Sequence, residues 1–91
     1  MSLLEFYGKE CPHCIAMMPL VEKLKAEGMK IEQHEVWHDE KNAAELEKHD
    51  RGLCGGVPFF INTTSKKFIC GGTDEESLRA WANGEGGEEI K

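Results

Sequence analysis

Residues 3–14 read Leu-Leu-Glu-Phe-Tyr-Gly-Lys-Glu-Cys-Pro-His-Cys, and the rest of the chain is arranged around them. The first five of these residues form an apolar run of the kind that is buried on both faces of a mostly parallel sheet. A helical pattern begins at Cys11, so Cys11 and Cys14 both lie in the first turn of a helix. The unpaired N–H groups of such a turn favour a negatively charged sulfur. The stretch therefore predicts a buried strand, a reactive pair of cysteines and a helix, in that order.

The composition is that of one small globular domain. The chain has 91 residues, of which 40% are hydrophobic and 31% are charged. Its formal net charge of −6 argues against nucleic acid or an anionic membrane as a partner, because both are themselves negative. It contains no apolar run near the roughly 20 residues of a membrane span, and residues 1–5 lack the basic start of an export signal. We therefore expect a cytoplasmic monomer with no nucleic-acid or membrane partner.

The hydrophobic periodicity and the turn residues predict the remaining elements. In chain order they are a helix from Cys11 to Gly28, an edge strand within 29–37, a helix at 39–49 capped by Asp39, a hairpin of strands at 59–64 and 67–70, and a helix opened by the capping box 73–76.

This order, β-α-β-α-β-β-α, predicts an α/β fold with a mixed four-stranded sheet and helices on both faces. Residues 1–83 form the domain. Residues 84–91 are glycine-rich and acidic, so we expect a flexible tail. Trp37, Trp81 and Phe59 are assigned to the core.

The spacing of the first two cysteines gives each a different task. Cys11 lies nearer the helix start, where the N–H groups favour its thiolate, so it is the predicted nucleophile. His13, if protonated, adds a positive charge that favours the same anion. Cys14 is the predicted resolving thiol, and Pro12 restricts the backbone between the two sulfurs. The alternatives are half of a zinc site or two structural cysteines.

The second half of the chain adds two candidate sites and one open question. Val57-Pro58 opens a strand after a glycine-rich loop, where a cis proline costs no ladder hydrogen bond and could present backbone groups to a substrate. The turn at 71–74 begins a helix, and free N–H groups at a helix start can bind an anion. Cys54 and Cys70 lie on different elements. Cys54 is either a regulatory or additional resolving thiol or a cysteine without a role.

These motifs resemble those of the glutaredoxins, small members of the thioredoxin superfamily, over nearly the whole chain up to about Asn83. The resemblance is carried by Val-Pro-Phe-Phe-Ile-Asn at 57–62 and by Gly-Gly-Thr-Asp at 71–74, whereas the CPHC sequence at 11–14 resembles that of a periplasmic thiol oxidant of the same superfamily. It implies a thioredoxin fold of minimal length. It also implies a thiol–disulfide oxidoreductase that reduces disulfide-bonded or glutathionylated proteins, with Cys11, Cys14, Pro12, His13 and Pro58 at the catalytic centre.

The resemblance further implies glutathione as a co-substrate, with no tightly bound cofactor. Val57 would pair with the tripeptide backbone, and Lys9 would meet its glycine carboxylate. Gly72, Thr73 and Asp74 would hold its γ-glutamyl end.

Two other residues resemble features of the thioredoxins. Pro19 follows the cysteine pair at the position of their helix proline, and Glu5 lies where they carry a buried acid. Glu5 is therefore either a general base for Cys14 or a carboxylate that reaches solvent from a strand end. The alternative function is a thioredoxin-like protein disulfide reductase fed by a flavin-containing thioredoxin reductase. A different class is a module that binds a metal or an iron–sulfur cluster through the same cysteines.

Overall fold

The computed structural model describes residues 3–89. The elements in this part of the chain are β1 (Leu3–Tyr7), α1 (Pro12–Ala26), β2 (Ile31–Glu35), α2 (Glu40–Asp50), β3 (Phe59–Asn62), β4 (Lys67–Cys70), α3 (Glu75–Ala82) and β5 (Glu88–Glu89). The strands form one sheet in the order β2-β1-β3-β4-β5. β1 runs parallel to β2 and antiparallel to β3, and the remaining neighbours are antiparallel. The chain is thus a small α/β protein with a mixed sheet.

The prediction of a four-stranded sheet is wrong, because the described residues form five strands. The added strand β5 pairs with β4 and comes from the segment predicted as a tail. A Cβ at Gly87 would lie 2.9 Å from the carbonyl oxygen of Phe68, and a Cβ at Gly86 would lie 2.8 Å from the Cβ of Ala80. The glycines taken as a sign of flexibility therefore allow the backbone to approach the sheet and α3. The end of the predicted tail, residues 90–91, lies outside the described residues.

β1 lies between β2 and β3 and is buried on both faces, as its apolar sequence predicts. Leu3 packs in a cluster on one face, and Leu4 and Phe6 pack in a second cluster on the other. The first cluster is covered by α1 and α3 and includes Met17, Val21, Leu24, Phe60, Leu78 and Trp81. The second includes Phe59, Ile61 and Phe68, with Leu46 of α2 packed against it. The helices therefore cover both faces of the sheet, as expected.

The ends of α1 follow from local sequence. Cys11 is the N-cap and Pro12 the first helical residue, a position where the missing N–H of proline has no cost. The helix continues through Pro19. It ends at Ala26 with Glu27 as the C-cap, and the next residue, Gly28, has a φ of +101°, which lies in the region that glycine adopts readily.

Asn62 joins the hairpin to the last helix. Its side chain is 2% exposed and donates from Nδ2 to the carbonyl oxygen of Trp81 at 3.1 Å. Its Oδ1 accepts from the N–H groups of Thr64 and Ser65 in the turn between β3 and β4. One buried amide therefore fixes both the hairpin turn and the end of α3.

Cys54 and Cys70 form a disulfide, with their Cα atoms 5.4 Å apart. The bond attaches the glycine-rich loop after α2 to the end of β4. In this state Cys54 is not a free thiol. It is therefore neither of the two thiols that the sequence suggested, the regulatory one or the additional resolving one. Disulfides are rare in the cytosol, so the bond weighs against the expected cytoplasmic location.

Replacing both Cys54 and Cys70 with serine should lower the free energy of unfolding by about 3 kcal/mol. The reason is that the bond closes a loop with a sequence separation of 16, and a cross-link of that span restricts the unfolded chain by this amount. Urea unfolding without reductant measures the difference. Excess dithiothreitol should bring the wild type to the midpoint of the double variant, and equal midpoints without reductant would contradict the prediction.

Candidate functional site

The site is centred on Cys11, which caps the first turn of α1. Its φ of −72° and ψ of 118° are extended, and its sulfur accepts from the backbone N–H of Cys14 at 3.3 Å. Its carbonyl oxygen accepts from the N–H of Ile15 at 2.9 Å. A sulfur in this place receives the N–H that an N-cap oxygen would otherwise receive, and it lies at the positive end of the helix dipole.

Cys14 lies deeper than Cys11. Its side chain is fully buried, whereas Cys11 is 4% exposed, and both are free thiols. The Cys14 sulfur accepts from the N–H of Gly8 at 3.5 Å. Burial, the hydrogen bond with Cys11 and the negative charge of Glu5 raise the pKa of Cys14 to about 12, against the weaker opposing effect of the Gly8 N–H. Cys14 is therefore a thiol, not a thiolate, at neutral pH.

Pro12 and His13 complete the first turn, and both are exposed. This places the imidazole of His13 on the solvent side of the residues that bear the two sulfurs. The structure thus puts the two residues between the cysteines where an incoming molecule can reach them.

The Val57-Pro58 segment lies against Cys11. The peptide bond between Val57 and Pro58 is cis, the form that the sequence permits at this position. The Cys11 thiol donates to the carbonyl oxygen of Val57 at 3.8 Å, and the carbonyl oxygen of Pro58 accepts from the N–H of Gly71 at 2.8 Å. A residue 46 positions away from Cys11 is thereby brought to the nucleophile, and the turn at 71–74 is connected to the same loop.

The turn at 71–74 is also attached to α1. The N–H of Thr73 donates to the Met17 sulfur at 3.4 Å. The helix cap lies one residue later than the capping box indicated, because Asp74 and not Thr73 accepts from the N–H of Ser77, at 2.8 Å. Carboxylates are preferred to threonine at this position. Hydrogen bonds from Ser77 lower the pKa of Asp74, so a ligand would meet an ionised carboxylate here.

Lys9 and Gly72 are both exposed. The backbone N–H of Lys9 donates to Glu35 Oε2 at 2.8 Å, which ties the loop before Cys11 to β2. These hydrogen bonds unite Cys11, Cys14 and the Val57-Pro58 segment directly, and they join the turn at 71–74 to them through Pro58 and Met17. They connect Lys9 to the β2 edge instead.

Glu5 is buried completely in β1, and it does not reach solvent. Its Oε1 accepts from Gln33 Nε2 at 3.0 Å, and its Oε2 has no hydrogen-bond partner among residues 3–89. Burial raises the pKa of this carboxyl, and the hydrogen bond from Gln33 and the charge of Lys25 oppose the rise. Of the two roles that the sequence left open, the position of Glu5 agrees with a general base.

Gly8 and Trp37 contribute to the site without a clear signal in the sequence. A Cβ at Gly8 would overlap the indole ring of Trp37, so only glycine allows that ring to cover the start of the cysteine loop. The assignment of Trp37 to the core is wrong, because 52% of the residue is exposed. In the sequence, a glycine directly after a strand indicates only that the strand ends there. No neighbouring residue distinguishes an exposed tryptophan from a buried one.

The side-chain clusters and the helices of residues 3–89 bear on metal ions and membranes. No group of three or more His, Cys, Asp or Glu side chains within them is placed to hold a metal ion. None of their helices has the length and apolar character needed to cross a membrane.

The comparisons with known proteins assign no family. No protein-family model matches the chain, and no curated protein matches it either. The site must therefore be interpreted from its own residues.

Glu5→Gln should change how stability depends on pH. Burial raises the pKa of Glu5 above its usual 4.5 in the folded protein, so above that pH the folded state holds a proton that the unfolded chain has lost. The free energy of unfolding then falls as pH rises toward the folded-state pKa. Glu5→Gln lacks this titration, so its stability should fall less than that of the wild type from pH 4.5 upward.

Urea unfolding at a series of pH values measures this effect. Glu85→Gln, at an exposed glutamate, is the matched control and should follow the wild type. Parallel curves for Glu5→Gln and the wild type would show that Glu5 carries no raised pKa.

Proposed function

We propose that this chain is a thiol–disulfide oxidoreductase that reduces disulfide-bonded or glutathionylated proteins in the manner of a glutaredoxin. The observation that carries the proposal is the pair of free cysteines at the start of α1, in which Cys11 accepts a backbone N–H of the helix and touches the Val57 carbonyl group. Two cysteines that served only to form a structural disulfide would not need to lie at the start of a helix. Thiolate chemistry benefits from it directly.

The proposed reaction transfers two electrons to the substrate disulfide in two exchanges. The Cys11 thiolate attacks one substrate sulfur, a bond forms between the two sulfurs, and the other substrate sulfur leaves as a thiolate. Cys14 then gives up its proton as its sulfur attacks the Cys11 sulfur, and the remaining substrate sulfur leaves as a thiolate. The protein is left with a Cys11–Cys14 disulfide, and the two released thiolates take up protons according to the pH.

The order of the two attacks follows from the different surroundings of the sulfurs. Cys14 is fully buried and its pKa is raised to about 12, so it cannot begin the reaction at neutral pH. Cys11 is the more accessible of the two and borders the exposed Pro12 and His13. It therefore makes the first attack.

Glu5 is the proposed base for the second exchange. Its charge is close enough to raise the pKa of Cys14, and its own pKa is raised by burial. A carboxylate of raised pKa is a stronger proton acceptor. The Cys14 proton passes to Glu5 as the Cys14 sulfur attacks, and it is later lost to solvent.

A thioredoxin fold of minimal length is part of the proposal. The order β2-β1-β3-β4, with one parallel pair and helices on both faces, agrees with the mixed sheet expected of that fold. β5 extends the sheet at the β4 edge.

Glutathione is the proposed electron donor. The exposed Gly72 and the ionised Asp74 at the start of α3 lie on a turn connected to the Val57-Pro58 loop through Gly71, so a tripeptide bonded to Cys11 can extend along Val57 toward them. The free N–H groups at that helix start suit the α-carboxylate of the γ-glutamyl end, and Asp74 suits its ammonium group. Lys9 is available for the glycine carboxylate.

Cys14→Ser should trap the substrate on Cys11. With the resolving sulfur removed, the reaction stops after the first exchange, and intact-mass spectrometry should show one substrate adduct per chain. Cys11→Ser should form no adduct and lose reduction of insulin disulfides. The Cys54→Ser/Cys70→Ser variant is the matched control and should keep that activity. Insulin reduction by Cys11→Ser would overturn the assignment of the nucleophile.

The electron donor can be tested with the wild type. Reduced glutathione should sustain repeated reduction of a small glutathione mixed disulfide, followed through the consumption of NADPH by coupled glutathione reductase. A flavin-containing thioredoxin reductase in place of glutathione and its reductase should not. The opposite result would favour the thioredoxin-like alternative.

A further inference from the structure

A cleft next to the nucleophile is not used by the chemistry above. It lies between α2, the end of β2 and the loop before Pro58, and it has a volume of about 500 Å³. Its apolar lining comes from Val36, Trp37, Ala43, Leu46 and Val57. A volume of this size falls within the range of sites that hold small ligands or single side chains.

Two residues that line the cleft contact the cysteine loop. The carbonyl oxygen of Val57 lies 3.8 Å from the Cys11 sulfur. The ring of Trp37 lies over Gly8, whose carbonyl oxygen accepts from the N–H of Cys11 at 3.0 Å. A polypeptide whose cysteine is bonded to Cys11 therefore has a neighbouring side chain within reach of the cleft.

The lining favours an apolar side chain. Val36, Leu46 and Val57 are half-buried and pack against the core cluster beneath α2, so the floor of the cleft is continuous with the core. Trp37 is 52% exposed, and a large aromatic side chain left half in solvent beside an apolar cleft is typical of a binding surface.

The charge of the cleft favours a cationic partner. Its ionisable lining residues are Glu47, which is exposed, and Asp50. The Asp50 carboxylate accepts from the N–H groups of Cys54 and Gly55, so it is held in place as an acceptor at the cleft wall. The whole chain carries a formal charge of −6, which attracts the same partner over a longer distance.

We propose that this cleft selects protein substrates in which the reacting cysteine is next to a large apolar residue and near an arginine or lysine. The inference rests on the proposed function, because it assigns a substrate class to the same cysteine pair. The apolar side chain enters between Trp37, Leu46 and Val57 while the substrate sulfur is bonded to Cys11. The basic side chain pairs with Glu47 at the rim.

The test uses four symmetric disulfides, each made of two identical short peptides with one cysteine. The residue next to the cysteine is leucine or glycine, and the residue beyond it is arginine or glutamate. Single-turnover reduction by the reduced protein is quenched with acid, and the released peptide thiol is measured by chromatography. Each rate is divided by the rate with dithiothreitol, which corrects for the intrinsic reactivity of the probe.

The wild type should reduce the leucine–arginine probe at least about tenfold faster than the glycine–glutamate probe, since filling an apolar pocket commonly changes rates by this factor or more. Ala43→Phe fills the cleft and should bring the leucine-to-glycine rate ratio close to one. Ala44→Phe makes the same change at the neighbouring, exposed position outside the cleft and should keep the wild-type ratio.

A second pair of variants tests the charge without changing the packing. Glu47→Gln should reduce the arginine-to-glutamate rate ratio several-fold. Glu45→Gln removes the same charge from the exposed surface of the same helix, outside the cleft, and should keep the ratio. If Ala43→Phe does not fold, this pair still decides whether the cleft faces the substrate.

The outcomes separate the two proposals. If the wild type does not reduce the small disulfide of 2-mercaptoethanol, the proposed function itself fails. If it reduces that disulfide but treats the four peptide probes alike, only the cleft inference fails. Equal losses in Ala43→Phe and Ala44→Phe, or in Glu47→Gln and Glu45→Gln, would likewise overturn the cleft as the selecting surface.

Discussion

The burial of β1 on both faces is the constraint on which the rest of the site depends. A strand flanked by β2 and β3, with Leu3 packed in one cluster and Phe6 in the other, has no freedom to shift. The chain that leaves its end reaches Cys11 within four residues of Tyr7. Gly8 is therefore held in a fixed position. Its N–H donates to the Cys14 sulfur, and the absence of a side chain leaves room for the ring of Trp37.

The same burial explains why two cysteines three residues apart differ in character. Cys11 is at the N-cap, where its sulfur accepts a backbone N–H of the helix and the residue keeps a small exposed area. Cys14 is one turn deeper and faces the region of Glu5, where removal from water disfavours a negative sulfur. A buried carboxyl is costly unless it is paired, and within residues 3–89 the two oxygens of Glu5 share one hydrogen bond, from Gln33. The role proposed for Glu5 as a base would account for such a group in a buried strand.

The loop before Pro58 connects the candidate site to the rest of the molecule. On one side its Val57 carbonyl contacts Cys11, and on the other it borders the cleft beneath α2. Asp50 holds the N–H groups of Cys54 and Gly55, and the disulfide from Cys54 attaches the loop to β4. A segment rich in glycine is thus held by one carboxylate and one covalent bond, which gives a defined shape to the wall of the cleft.

The sequence by itself determined the features that depend on neighbouring residues. The start of α1 at Cys11 and Pro12, its end just before Gly28, the cap of α2 at Asp39 and the hairpin turn before β4 were all predictable, because caps, proline and glycine act within a few positions. The cysteine pair at a helix start belongs to this group. So does the edge position of β2, which follows from its polar composition.

Only the tertiary structure decided the features that join distant residues. The pairing of Cys54 with Cys70, the exposure of Trp37 and the cleft beside Val57 have no local signal. β5 was missed for a related reason, since Gly87 has the composition of a flexible segment until the backbone of Phe68 is beside it. Contacts of this kind depend on which surfaces the packed helices and strands bring together, and residue type alone does not specify that.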